Sequence, residues 1–83
     1  MSIGMSLLAI LHQAPAYGMQ LKNEFETRTG GMWPLNVGQV YSTLARYERD
    51  GLVRVVQEGA EGQKVYELTE AGGERLQIGR AHV

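Results

Sequence analysis

Apolar positions recur at helical spacing through the first half of the chain and then give way to a valine-rich, β-prone pattern. Ile3, Leu7, Leu8 and Leu11 form a helical stripe, with Ser2 suited to cap it. Pro15 bars helix through that point, so the first helix is expected to end near Gln13. Gly18 opens a second helix, in which Leu21 and Phe25 sit one turn apart while Lys22, Asn23, Glu24, Glu26 and Arg28 supply a wet face. Gly30-Gly31 stops it. The connector Met32-Trp33-Pro34-Leu35 is too aromatic for a flexible linker, and Trp33 reads as a plug between helices before it reads as a ligand contact.

The third helix is expected over about 37–50, between an Asn36 cap and Gly51. At about 100° per residue, Val37, Val40, Leu44 and Tyr47 fall within one quarter of the wheel, whereas Gly38, Gln39, Ser42, Arg46 and Arg49 fall opposite. An exposed face of short hydrogen-bonding side chains with arginines toward its end is what reading a DNA groove requires. Strands are expected near 52–58 and 63–69, joined by a turn at Gly59-Ala60-Glu61-Gly62, with Val53, Tyr66 and Leu68 facing inward. Thr69 caps a last helix beginning Glu70-Ala71, although Gly72-Gly73 weakens it. The expected fold is mostly α with a small β-hairpin, a winged helix-turn-helix made of a three-helix unit and a two-stranded wing.

Composition narrows the classes. The chain has 83 residues, of which 43% are hydrophobic and 20% charged, which suits one small globular domain. Without cysteine and with only His12 and His82, neither a disulfide nor a metal site is expected, and no cofactor is implied. The absence of cysteine fits a reducing cytoplasm, and the amino-terminal apolar run is far short of a membrane span. An enzyme is not expected, because there is no nucleophile-elbow glycine pattern and no phosphate loop. Charge runs against the DNA reading. Before position 77 seven basic residues face nine acidic ones, whereas phosphate neutralisation drives nucleic-acid binding. Fields are local, however, and Arg46, Arg49, Arg54 and Lys64 all lie in the half assigned to recognition. Modest affinity per domain, raised by dimerisation, is the expectation.

Five blocks in order carry a resemblance. They are Leu7-Leu8-Ala9-Ile10-Leu11, Pro15-Ala16-Tyr17-Gly18-Met19-Gln20-Leu21, Gly38-Gln39-Val40-Tyr41-Ser42-Thr43-Leu44, Glu48-Arg49-Asp50-Gly51-Leu52-Val53 and Tyr66-Glu67-Leu68-Thr69-Glu70-Ala71-Gly72. Over roughly positions 5 to 76 the chain resembles the PadR family of bacterial transcription regulators. The resemblance implies a dimeric winged-helix repressor of double-stranded DNA, completed by a C-terminal helical region and answering to phenolic or lipophilic effectors. Met19 departs from the pattern, which often has an aromatic there, and the C-terminal dimer region is absent. Positions 78–83, Ile78-Gly79-Arg80-Ala81-His82-Val83, match the in-frame translation of a common sequencing adapter that would next read a stop. The domain is therefore expected over 1–77, with a tail of adapter origin and the gene fragment truncated. Such a fragment is expected to dimerise poorly, leaving apolar residues such as Met5 or Ile10 exposed.

The candidate DNA-binding residues are Asn36, Gln39, Tyr41, Ser42, Arg46 and Lys64. Tyr41 can reach a phosphate or stack on the core. Gln39 and Ser42 are base-edge readers or ordinary solvated positions, and the third helix of this arrangement favours contact. Arg46 and Arg49 can touch DNA or pair with Glu48, Asp50 or other carboxylates, and Arg46 is the better placed of the two. Lys64 sits just past the hairpin tip, flanked by Glu58 and Glu61, which would repel phosphate. His12 reads as a polar helix-end residue. Met5, Met19 and Met32 either fill the core or line a pocket for a lipophilic effector. The alternative function is a winged helix used for protein contacts that never meets DNA, and the sign of the field around Gln39, Ser42, Arg46 and Lys64 separates the two.

Overall fold

The computed structural model describes residues 3–31 and 35–76. The Ser2 cap, the Trp33 plug, Met32, Gln77, His82 and the 78–83 tail lie outside the described residues. The elements run α1 (Ile3–Gln13), β1 (Ala16–Tyr17), α2 (Gly18–Arg28), α3 (Val37–Arg49), β2 (Val53–Glu58), β3 (Lys64–Leu68) and α4 (Glu70–Leu76). The winged helix-turn-helix arrangement is present, with one addition: the wing belongs to a three-stranded antiparallel sheet of order β1-β3-β2. Ala16 pairs with Tyr66 and Tyr17 with Val65. Pro15 has ended helical winding just before this point, so the extended backbone finds its partner in β3.

One core serves all the elements. Leu7, Leu8 and Leu11 of α1 meet Leu21 and Phe25 of α2, Val40, Leu44 and Tyr47 of α3, and Leu52, Val53 and Tyr66 from the wing's base. Ile10 belongs to this core too, buried at 6% exposure, and Met5 packs against it. The expectation that these two stay exposed is therefore corrected. Ile10 is buried even though it lines a cleft with Pro15 and Ala16, whose return into β1 the helical periodicity does not reveal.

Backbone signals end the helices where the sequence placed them. After α2, Gly30 and Gly31 adopt positive φ, and their amides reach Thr27 O and Glu26 O at 3.1 and 2.8 Å. After α3, Gly51 at φ +80° lets its own amide reach Glu48 O and the Leu52 amide reach Tyr47 O, at 3.1 and 2.8 Å. Thr69 then ties the end of α3 to the start of α4, because its hydroxyl donates to Gly51 O at 2.6 Å and accepts from the Gly72 amide at 3.0 Å.

Glu26 anchors the chain entering α3. Its carboxylate accepts from the Leu35 amide at 3.1 Å and from Lys22 Nζ at 3.0 Å. The Leu35 amide first, and Lys22 second, hold its pKa below the ordinary glutamate value. Stability from this group is complete above the ordinary carboxylate range and is lost as pH falls through the lowered value. Glu26→Gln should therefore flatten the acid limb of the stability profile, which denaturant titrations between about pH 3 and 6 would read. An unchanged acid limb would show that the carboxylate does not anchor this segment.

Candidate nucleic-acid interface

The exposed face of α3 is built by what lies behind it. Val40, Thr43, Leu44 and Tyr47 are buried, fixing the helix's rotation. Gly38, Gln39, Tyr41, Ser42, Ala45, Arg46 and Arg49 are consequently solvent-facing. One assignment from the wheel changes, and one buried position lies outside its groups. Val37, grouped there with the core, is 37% exposed, and Thr43 is buried at 7%. The core stripe starts one turn later than its apolar residues suggest, and it rotates toward Thr43, whose γ-methyl is compatible with burial.

Asn36 is present as the cap, its Oδ1 accepting from the Gly38 amide at 2.7 Å. That oxygen is engaged within the protein as the cap, and the Nδ2 amide of this exposed residue keeps its donors. Ser42 Oγ donates to Gln39 O at 3.2 Å, which leaves its lone pairs as acceptors facing solvent. Tyr41 takes neither of its two expected places in full. It is 42% exposed, and its ring rests on Gly18, where an added Cβ would stand 2.5 Å from Tyr41 Cε1. The glycine opening α2 thus makes room for a tyrosine of α3. Burial raises the Tyr66 pKa above the ordinary phenol value, with charge at Glu48 and Tyr41 adding to it.

The cations divide by partner. Arg49 Nε lies 3.5 Å from Asp50 Oδ1, and Arg54 Nε donates to Glu67 across the β2–β3 pair at 3.0 Å. Arg46 has no carboxylate partner among the described residues, and its guanidinium lies 5.6 Å from the Tyr47 ring centroid. Lys64 opens β3 opposite Glu58 in the strand register, exposed and without an ion pair among the described residues. Gln39, Ser42 and Arg46 therefore share one exposed helix face, while Lys64 stands on the wing. Beside it, Val56 is bulged out between Val55 and Gln57 and is 45% exposed.

The methionines among the described residues occupy different settings. Met5 packs against the core and Met19 is 48% exposed at the start of α2. An open cleft of about 220 Å³ lies elsewhere, lined by Ile10, Gln13, Ala14, Pro15, Ala16, Gln20 and Glu24. The described residues hold no cluster of three or more metal-ligating side chains, and no helix among them is long and apolar enough to cross a membrane.

The model of the transcriptional regulator PadR-like family matches residues 7–78, most of the chain. The chain belongs to the PadR-like family of transcriptional regulators. Similar solved structures agree in fold. A transcriptional regulator from Clostridium thermocellum is 19% identical with a TM-score of 0.83, and the match covers 90% of this chain and 73% of that one. RosR of H. salinarum is 25% identical with a TM-score of 0.80, covering 93% of this chain and 67% of that one. Bacillus subtilis PadR, solved in complex with operator DNA, is 21% identical with a TM-score of 0.76, covering 96% of this chain and 49% of that one. The PadR-like chain thus spans about half the length of the Bacillus protein. No curated protein matches it.

Proposed function

We propose that this PadR-like regulator is a sequence-specific binder of double-stranded DNA and a repressor, reading the major groove with α3 and the backbone with the β2–β3 wing. The observation that carries the reading is the exposed α3 face on which Gln39, Ser42 and Arg46 stand together, with no carboxylate of the described protein engaging Arg46. The Bacillus structure with operator DNA supports it by likeness of fold. In full-length form the regulator is a cytoplasmic homodimer that engages two half-sites and answers to a small lipophilic or phenolic effector, as the family resemblance implies.

Each residue has its role. Asn36 sets the helix start, Gln39 and Ser42 face base edges, and Tyr41, Arg46 and Lys64 hold phosphates. Replacing Gln39 or Ser42 with Ala should relax sequence preference and weaken the specific site by roughly 1–3 kcal/mol for a good base contact. Replacing Arg46 or Lys64 with Ala should weaken specific and random duplex alike, and flatten the salt slope by about one unit per lost contact. Salt titrations of the four variants in the full-length protein, on a selected duplex and a random one, check both statements. If all four bind like the parent, α3 is not the reader. The net charge of −1 then favours a winged helix that contacts another protein.

A further inference from the structure

Resting on that DNA reading, we infer that Val37 is a specificity residue whose exposed methyls read the 5-methyl group of a thymine in the major groove. The first turn of α3 offers few side chains for reading. Asn36 Oδ1 is held by the Gly38 amide, and Gly38 carries no side chain. Besides the Asn36 Nδ2 amide at the cap, what reaches outward from this turn is Val37 on one flank and Gln39 on the other. Gly38 lies between them on the outward line of the helix, and without a Cβ it lets the backbone come close to the base edges. In helix-turn-helix docking the amino-terminal residues of the recognition helix are those that meet base edges.

Val37 can make no hydrogen bond, yet it is left 37% exposed on a helix whose core stripe begins only at Val40. The apolar feature that base pairs present in the major groove is the thymine methyl, which apolar side chains contact directly. Valine in a helix is held almost entirely in one χ1 rotamer, so its methyls keep a fixed position with little ordering cost. Tyr41, one turn on and on the same flank, has its ring seated on Gly18, which leaves Val37 a firm neighbour at the i+4 position. Gln39 on the other flank has the geometry that matches adenine N6 and N7. The two together assign this turn to A·T-containing steps, with Val37 supplying the discrimination of thymine from bases that lack the methyl.

The test uses full-length protein and a duplex selected from a pool with a randomised core. Each thymine of the selected half-site is replaced singly by uracil, which removes the methyl and leaves base pairing intact. One position should cost the parent roughly fourfold in Kd, the size expected for one buried methyl, and should cost Val37→Ala nothing. Affinity that falls equally in parent and Val37→Ala, or that falls at no position, overturns the assignment. A parent series that falls at no position overturns the assignment by itself, and Val37→Ser takes the variant's place in the comparison if Val37→Ala fails to fold. A pool in which no sequence is enriched over random would instead overturn the DNA reading itself, and this inference with it.

Discussion

Gly72→Ala is expected to cost this domain about 3 kcal/mol or more, while Gly73→Ala, one residue further on, is expected to stabilise it. Gly72 is buried in α4 where the helix crosses the start of the wing. A Cβ there would press on the Leu52 carbonyl oxygen, well inside contact distance, and stand 2.6 Å from Leu68 Cδ1 and 3.1 Å from Leu52 C. Leu52 O cannot simply retreat, because it accepts the Thr69 amide at 3.0 Å, and Thr69 is also tied to Gly51. Relief therefore requires the backbone of α4 to lift from the core. A domain of this size has roughly 4–11 kcal/mol of total stability, so the loss is a large share of it. At Gly73 an added Cβ meets nothing within 4 Å, and alanine in place of glycine in a helix gains about 0.5–1 kcal/mol. Denaturant midpoints measured side by side give the contrast, and equal midpoints for the two variants would mean that α4 does not pack as described.

The same two glycines show what could be read from the sequence. Taken alone, Gly72-Gly73 argued only for a weak helix, since propensity carries no knowledge of a carbonyl that lies twenty residues away in the chain. Features with a local cause were legible. Asn36 and Gly51 bracket α3 because a cap and a left-handed exit act on adjacent backbone, and the valines of β2 advertise a strand. The short β1 was not legible, since two residues carry no period and its pairing with Tyr66 and Val65 spans some fifty positions. The candidate site divides the same way. Gln39, Ser42 and Arg46 were found by their position opposite a hydrophobic stripe, and they do share an exposed face. The exposure of Val37 is not legible, because a wheel assigns sides by residue type, whereas exposure at a helix's first turn depends on which neighbour covers it. The seat of Tyr41 on Gly18 was missed for a related reason, as it joins two helices through a position whose significance is the absence of a side chain.

Leu44→Ala is expected to lower stability by about 2–5 kcal/mol, enough to leave a substantial part of the domain unfolded at moderate temperature. Leu44 is fully buried, and with Val40 and Tyr47 it is what holds α3 against the rest of the core. Removing its branched end leaves a cavity beneath the exposed face of α3. The control is Leu44→Met, which conserves volume and should cost less than about 1.5 kcal/mol. Function should follow by a route distinct from that of the surface variants. Ser42→Ala is expected to weaken DNA binding with an unchanged midpoint, because among the described residues its hydroxyl hydrogen-bonds only Gln39 O. Leu44→Ala is expected to weaken binding only in proportion to the fraction unfolded, with the folded fraction retaining the parent's sequence preference. Unfolding curves and DNA titrations on the same samples distinguish these. A Leu44→Ala protein as stable as the parent would show that α3 is positioned by something other than its buried stripe, and the exposed face inferred from that stripe would fall with it.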